Sequence, residues 1–156
     1  MSLEIEFTEG DWFSVLSDGN SAWIASLMER GKDEEAIASD WVATIGAPRT
    51  ATYGSERNNS SNLYKNIRLE FFRFICGSSD KYDNDRRKAE EIWQKQGKPG
   101  LVLSVAAILA GTVHIAAAAI TPIVALLCSL VAKIGKAAFC ATYAQELPLD
   151  PPPSIQ

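Results

Sequence analysis

Residues 99–132 read PGLVLSVAAILAGTVHIAAAAITPIVALLCSLVA, thirty-four residues without a formally charged side chain. Lys95 and Lys98 precede this apolar segment, and Lys133 and Lys136 follow it. A helix exposed to water needs a polar face, so a segment this apolar either enters a bilayer or is covered by the rest of the protein. The choice between these two environments largely decides what function the sequence predicts.

Two helices, rather than one, are predicted within the apolar segment. Pro99 suits the first turn of a helix, where the missing N–H costs no hydrogen bond. Thr121 and Pro122 resemble an N-cap hydroxyl followed by proline at the first helical position. This pair predicts a helix boundary at Thr121, with the turn of an antiparallel hairpin between Gly111 and Ile120. The second helix is expected to reach about Tyr143.

Segment length slightly favours a buried hairpin over a membrane hairpin. A spanning helix needs about 20 apolar residues. Residues 101–120 meet that length, but residues 122–132 offer only eleven before Lys133. Lys133 inside a bilayer would cost roughly 2.5 to 3.5 kcal/mol. Eight of the residues in 101–131 are alanine, which adds little insertion energy and lets helices pack closely in either environment.

Size and charge predict one domain and argue against nucleic acid as a partner. The chain has 156 residues, enough for one domain with a core of its own. Residues 1–50 carry a net charge of −7, residues 51–98 carry +3 and the remainder is neutral. An acidic chain without a strong basic cluster is not typical of a protein that binds phosphate backbones.

The first 98 residues predict amphipathic helices that can cover the hairpin. With the two apolar helices they predict a mainly α fold of about seven helices. The predicted amphipathic helices start near Thr8, Asn20 or Ser21, Asp33, Ser60 or Ser61, and Asp80. Leu3–Phe7 alternates apolar and acidic residues, which fits either a short strand or an extended arm.

The domain prediction is one helical domain over residues 1–145 and a proline-rich tail over residues 146–156. Within the domain, residues 1–98 form the amphipathic helices and residues 99–145 form the apolar hairpin. The segment between Gly46 and Ser61 is rich in Gly, Ser, Thr and Asn, which predicts a surface loop. The prolines after Leu147 cannot continue a helix.

Cysteine usage predicts neither a disulfide scaffold nor a metal site. The three cysteines, Cys76, Cys128 and Cys140, are odd in number and lack paired spacing. The first seven residues lack the basic start and apolar stretch of a secretory signal, so a reducing cytoplasm is expected. Cys128 and Cys140 are then interpreted as packed thiols.

No pattern in the chain predicts an enzyme or a cofactor. His114 is the only histidine, and no acidic residue lies near it in sequence. A histidine that hydrogen-bonds a carbonyl explains it more simply than a general base does. Glycine-rich phosphate loops, nucleophile elbows and paired metal ligands are absent from the sequence. We therefore expect a non-enzymatic protein with no cofactor.

Two functions remain as expectations. The first is a cytoplasmic interaction or regulatory protein that self-associates or docks onto a protein partner through a helical seam of Ile123, Leu127, Leu130 and Ile134. The second is a small membrane-active effector or anchor, with a cytoplasmic N-terminal part and the hairpin in the bilayer. In that case the basic residues Arg86, Arg87, Lys88, Lys95 and Lys98 would lie at the membrane surface.

Overall fold

The computed structural model describes residue 3 and residues 5–46, 55–77 and 80–144. Six helices make up most of this part of the chain, so the predicted mainly α fold class is confirmed. They are α1 (Asp18–Glu29), α2 (Glu34–Gly46), α3 (Ser55–Cys76), α4 (Asp83–Val113), α5 (Ala117–Ile134) and α6 (Lys136–Ala144), with a single 3-10 turn (Asp80–Tyr82) before α4.

The N-terminal residues form an extended arm and a series of turns instead of the predicted strand and first helix. Leu3 and Ile5 are buried, as their alternation predicts, but the described part of the chain contains no strand. The helix predicted from Thr8 is also wrong. Asp11 Oδ1 accepts the amide of Phe13 at 2.9 Å, a local bond that favours a turn over a helix. We call residue 3 and residues 5–12 the N-terminal arm.

The starts of α1 and α2 follow from their capping residues. Ser17 Oγ accepts the amide of Asn20, so α1 begins slightly earlier than predicted. Asp33 Oδ1 accepts the amide of Ala36 at 2.8 Å, which confirms the predicted cap of α2. Helix α3 begins at Ser55, several residues before the predicted cap at Ser60 or Ser61. Much of the predicted loop, residues 47–54, lies outside the described residues.

Helix α4 contains the predicted break between the basic segment and the apolar segment. Gly97 has φ 67° and ψ −148°, which interrupts the helix and makes Pro99 an early residue of its second half. The turn after the break is closely packed, because a Cβ atom on Gly100 would lie 2.8 Å from Ile92 Cγ2. The predicted fifth and sixth helices are therefore the two halves of α4.

The apolar segment is a two-helix hairpin with its turn between Gly111 and Ile120, as predicted, but α5 begins before the predicted boundary at Thr121. Helix α4 ends at His114, which has φ 60°, and α5 begins at Ala117. Thr121 and Pro122 consequently lie inside α5, and the Thr121 hydroxyl donates to the carbonyl of Ala117 at 2.7 Å. The predicted cap at Thr121 is wrong because the alanines of residues 116–119, strong helix formers, start the helix first.

The last predicted helix is divided in two. Gly135 has φ 92°, a conformation that L-residues other than glycine rarely adopt, and it ends α5. Helix α6 follows as a separate element instead of extending α5 to Tyr143. The predicted tail, residues 146–156, lies outside the described residues.

Helix α5 lies at the centre of the core. It packs against α2 and against the second half of α4, and it also contacts α3 and α6. Every residue of α5 from Ile120 to Cys128 is buried. Trp41 of α2 fixes the start of α5, since its Nε1 donates to the carbonyl of Ala119 at 2.8 Å. The amphipathic helices thus cover the more apolar helix of the hairpin.

Candidate functional site: the uncharged surface of the hairpin

The residues predicted to form an interaction seam lie mostly in the core of the monomer. Ile123 and Leu127 have no exposed surface, because they face the helices packed around α5. Leu130 is half-buried and Ile134 is 40% exposed. In this conformation, only the C-terminal end of the predicted seam can contact a partner.

The most exposed large apolar residue of the hairpin is on α4 instead. Leu103 is 51% exposed, and Ala107 and Gly111 are exposed at the following steps of four. Residues four apart share one face of a helix, so these three form a continuous stripe. Ala116, Ala117 and Ala118 extend the uncharged surface around the turn of the hairpin. We call these six residues the α4 surface.

A shallow cavity of about 290 Å³ adjoins the α4 surface, and Leu103 forms part of its wall. Its lining is mostly apolar and comes from the segment before α1, from α4 and from α5: Val15, Leu16, Ser17, Asn20, Leu103, Ala118, Thr121 and Pro122. An exposed leucine and an apolar cavity therefore lie side by side on one uncharged part of the molecule.

The basic residues predicted for a membrane surface do not form one exposed group. Arg86 has no exposed side-chain surface. Its guanidinium donates to the carbonyls of Phe74 and Arg73, each at 2.8 Å, and to Asp83 Oδ1 at 2.6 Å. These bonds satisfy carbonyls at the C-terminal end of α3. Arg86 therefore binds the protein itself and is unavailable to lipid in this conformation.

The remaining predicted basic residues lie nearer the solvent. Arg87, Lys88 and Lys95 are exposed, and Lys98 is half-buried. Lys98 donates to Thr8 Oγ1 at 3.2 Å, and its ammonium lies 5.4 Å from the Trp12 ring centroid. One of the four, Lys98, thus already contacts the N-terminal arm.

The end of the hairpin opposite its turn, which we call the hairpin base, contacts the N-terminal arm. Lys136, the first residue of α6, donates to the carbonyl of Leu3. Lys98, in α4, donates to the hydroxyl of Thr8. A second cavity, of about 350 Å³, lies at this end and is lined by Glu9, Gly10, Trp12, Glu34, Ser129, Ala132 and Lys133. Lys133 Nζ lies 3.6 Å from the buried Glu34, which supplies a counter-charge.

A buried polar cluster joins α3, the 3-10 turn and α4. Tyr82 donates its hydroxyl to Glu70, and Thr112 Oγ1 lies 3.2 Å from the same phenol oxygen. Arg73 and Lys81 form ion pairs with Glu70 at 2.9 and 2.8 Å. Burial alone would raise the pKa of Glu70, but the hydrogen bonds from Lys81 and Tyr82 and the nearby positive charges outweigh it and lower the pKa below 4.5. Burial and the Glu70 carboxylate together raise the pKa of Tyr82.

Hydrogen bonds and ion pairs fix the protonation states in this cluster. Its carboxylate is held ionised and its phenol is held neutral, so neither group is poised to exchange a proton near neutral pH. Among the described residues, no group of three or more His, Cys, Asp or Glu side chains could hold a metal ion. His114 is exposed at the hairpin turn, where its backbone conformation ends α4.

One cysteine prediction is wrong. Cys140 is not a packed thiol, because it forms a disulfide with Cys76, and only Cys128 is a buried free thiol. The two half-cystines are separated by 64 positions and lack a spacing signature, so the sequence did not predict the bond.

Two helical stretches in the described part of the chain, Asp80–Val113 and Ala117–Ile134, are long and apolar enough to cross a membrane. Length and composition alone give this result, and a buried helix in the core of a soluble protein has the same properties. No protein-family model, no curated protein and no solved structure matches the chain.

Proposed function

We propose that this chain is a non-enzymatic helical interaction module that self-associates through the α4 surface. The observation that carries the proposal is the exposed Leu103, which lies beside an apolar cavity on an uncharged part of the hairpin. A protruding apolar side chain beside a cavity suits a two-fold interface, because each copy can then fill the cavity of the other.

The small residues of the α4 surface suit the close approach of a second helix. Ala107 and Gly111 follow Leu103 along one face, and neither side chain would hold two helix backbones apart. Since residues 99–132 carry no charge, bringing two copies together would desolvate no ionised group of this segment. The partner in this proposal is therefore a second copy of the chain, docked with its own α4 surface.

Sedimentation equilibrium of the purified chain without detergent tests the proposal. We expect a dimer at a protein concentration of tens of micromolar. Leu103→Asp should give a monomer with an unchanged circular dichroism spectrum, because Leu103 is exposed and its substitution leaves the core intact. Lys95→Ser, at an exposed position in the first half of α4, is the matched control and should remain dimeric. A strictly monomeric wild-type chain would contradict the proposal.

The alternative function, a membrane-active hairpin, is favoured by a different observation. Lys98 and Lys133 lie at the hairpin base, whereas the turn between α4 and α5 and the residues beside it are uncharged. A hairpin that entered a bilayer turn first would leave these lysines near the lipid headgroups. Insertion would require α2 and α3 to separate from α5, because the apolar residues of α5 are buried against them.

Carbonate extraction of membranes from cells that express the chain at low level tests this alternative. Recovery of the protein in the carbonate-resistant membrane fraction would favour insertion over self-association in solution. Recovery of all the protein in the soluble fraction would end the alternative and leave self-association as the proposed function.

A further inference from the structure

Three segments that are distant in sequence meet at one corner of the molecule. The amide of Leu3 donates to the carbonyl of Ile75, near the end of α3, at 3.2 Å. The carbonyl of Leu3 accepts a hydrogen bond from the ammonium of Lys136, at the start of α6. The side chain of Leu3 is fully buried. The N-terminal arm is thus held between the end of α3 and the start of α6.

Helix α6 is bound to the core at this corner by one buried ring and one covalent bond. Phe139 is fully buried, with its ring centroid 5.8 Å from that of Phe71 and 6.4 Å from that of Phe72. The next residue, Cys140, forms the disulfide with Cys76, the last residue of α3, with their Cα atoms 5.8 Å apart. Gly135, with φ 92°, is the single residue that connects α5 and α6.

We propose that the Cys76–Cys140 disulfide is a redox-controlled clamp that holds α6, and with it the N-terminal arm, against the helical core. The reductant is a dithiol. Its thiolate attacks one sulfur and forms a mixed disulfide, its second thiol resolves that bond, and the dithiol becomes a cyclic disulfide. Two electrons and two protons pass to Cys76 and Cys140, which become free thiols.

The accessibility of the three cysteines supports this assignment. Cys76 and Cys140 are both half-buried, so an external thiol can approach the bond, as thiol–disulfide exchange requires. Cys128 is fully buried in α5 and cannot take part without unfolding of the core. A thiol reductant therefore acts at one corner of the molecule.

Reduction should release α6 rather than unfold the domain. Helix α6 has nine residues, and a helix this short is not stable in water without packing. The central helix α5 also packs against α2, α3 and α4, so these contacts should hold the core together after reduction. Release of α6 would uncover Phe139 and the aromatic side of α3, and it would remove the lysine that holds Leu3.

Hydrogen–deuterium exchange of the full chain, with and without dithiothreitol, tests the clamp. We expect the amides of residues 137–144 to exchange at least tenfold faster after reduction, while those of residues 123–131 in α5 keep their protection. Cys140→Ser should show the fast exchange without reductant. Cys128→Ala, which keeps the disulfide, should respond to dithiothreitol as the wild type does.

Three results would overturn the proposal. One is equal protection of α6 in the oxidised and reduced chains. The second is loss of protection throughout α5 on reduction, which would make the bond a requirement for the whole fold. The third is a count of three free thiols in wild-type protein equilibrated with oxidised glutathione, which would show that the disulfide does not form.

Discussion

At the scale of single residues, two buried ionic side chains form hydrogen bonds with polar groups that the fold removes from water. Arg86 donates to two carbonyls at the end of α3, and Glu70 accepts from Tyr82 and binds Arg73 and Lys81. Removing one member of such a set is costly, because a buried partner such as the carbonyl of Phe74 loses a hydrogen bond. Both residues are therefore expected to matter for stability rather than for catalysis.

Arg86→Ala should lower the free energy of unfolding by about 2 to 4 kcal/mol, because the carbonyl of Phe74 loses a buried donor, the carbonyl of Arg73 is left with the amide of Gly77, and a cavity forms. The matched control is Arg87→Ala at the next, exposed position, which should change stability by no more than about 0.5 kcal/mol. Urea unfolding of both variants measures the difference. Equal stability of the two would show that Arg86 does not cap α3.

Glu70→Gln should destabilise the protein at pH 7 by about 1.5 to 3 kcal/mol, the usual range for hydrogen bonds to a charged group. The folded pKa of Glu70 lies below 4.5, so the stabilisation from its carboxylate is complete above about pH 4.5 and is lost as the pH falls through the folded value. The stability gap between wild type and variant should therefore narrow below pH 4.5. A gap that stays constant down to pH 2 would contradict this linkage.

His114 has a positive φ at the end of α4, a conformation that costs L-residues other than glycine about 1 kcal/mol or more. His114→Gly should therefore raise the free energy of unfolding by about 1 kcal/mol. His114→Ala keeps the strained backbone and removes the imidazole, so it should have a much smaller effect. If both variants were destabilised equally, the imidazole rather than the backbone would be what matters at this position.

At the scale of helices, the sequence predicted the boundaries that are set by a nearby capping residue, glycine or proline. Asp33 caps α2, and Gly97 with Pro99 divides the apolar part of α4 from the basic part. The helix boundary predicted at Thr121 and Pro122 was wrong, because proline is tolerated inside α5, where the preceding alanines have already started the helix. Gly135 is equally compatible with an unbroken helix or a break, and only its positive φ shows that α6 is separate.

Features that depend on distant partners were not predictable in the same way. The Cys76–Cys140 bond and the contact of Lys136 with Leu3 join segments that nothing local relates. The burial of Arg86 left a weak signal that we did not use: Arg86 lies four residues after Tyr82 and three before Ala89, so it shares a side of the helix with these two buried residues. The exposed stripe at Leu103 also required knowledge of which side of α4 meets α5.

At the scale of the whole molecule, α5 is the structural centre and α4 supplies the exposed part of the apolar segment. The same uncharged run therefore serves two purposes: Leu127 lies in the core, and Leu103 lies on the surface proposed for self-association. This division is the central claim of our account. It predicts that a lysine substitution destabilises the protein strongly at Leu127 and only slightly at Leu103.

The most direct test is urea unfolding, without detergent, of Leu127→Lys and Leu103→Lys. A lysine at 127 would place a charge among fully buried residues, so this variant should be unfolded or lose most of its stability. A lysine at 103 reaches water, so that variant should stay within about 1 kcal/mol of the wild-type monomer. A cooperatively folded Leu127→Lys variant, with stability equal to that of Leu103→Lys, would contradict the buried hairpin.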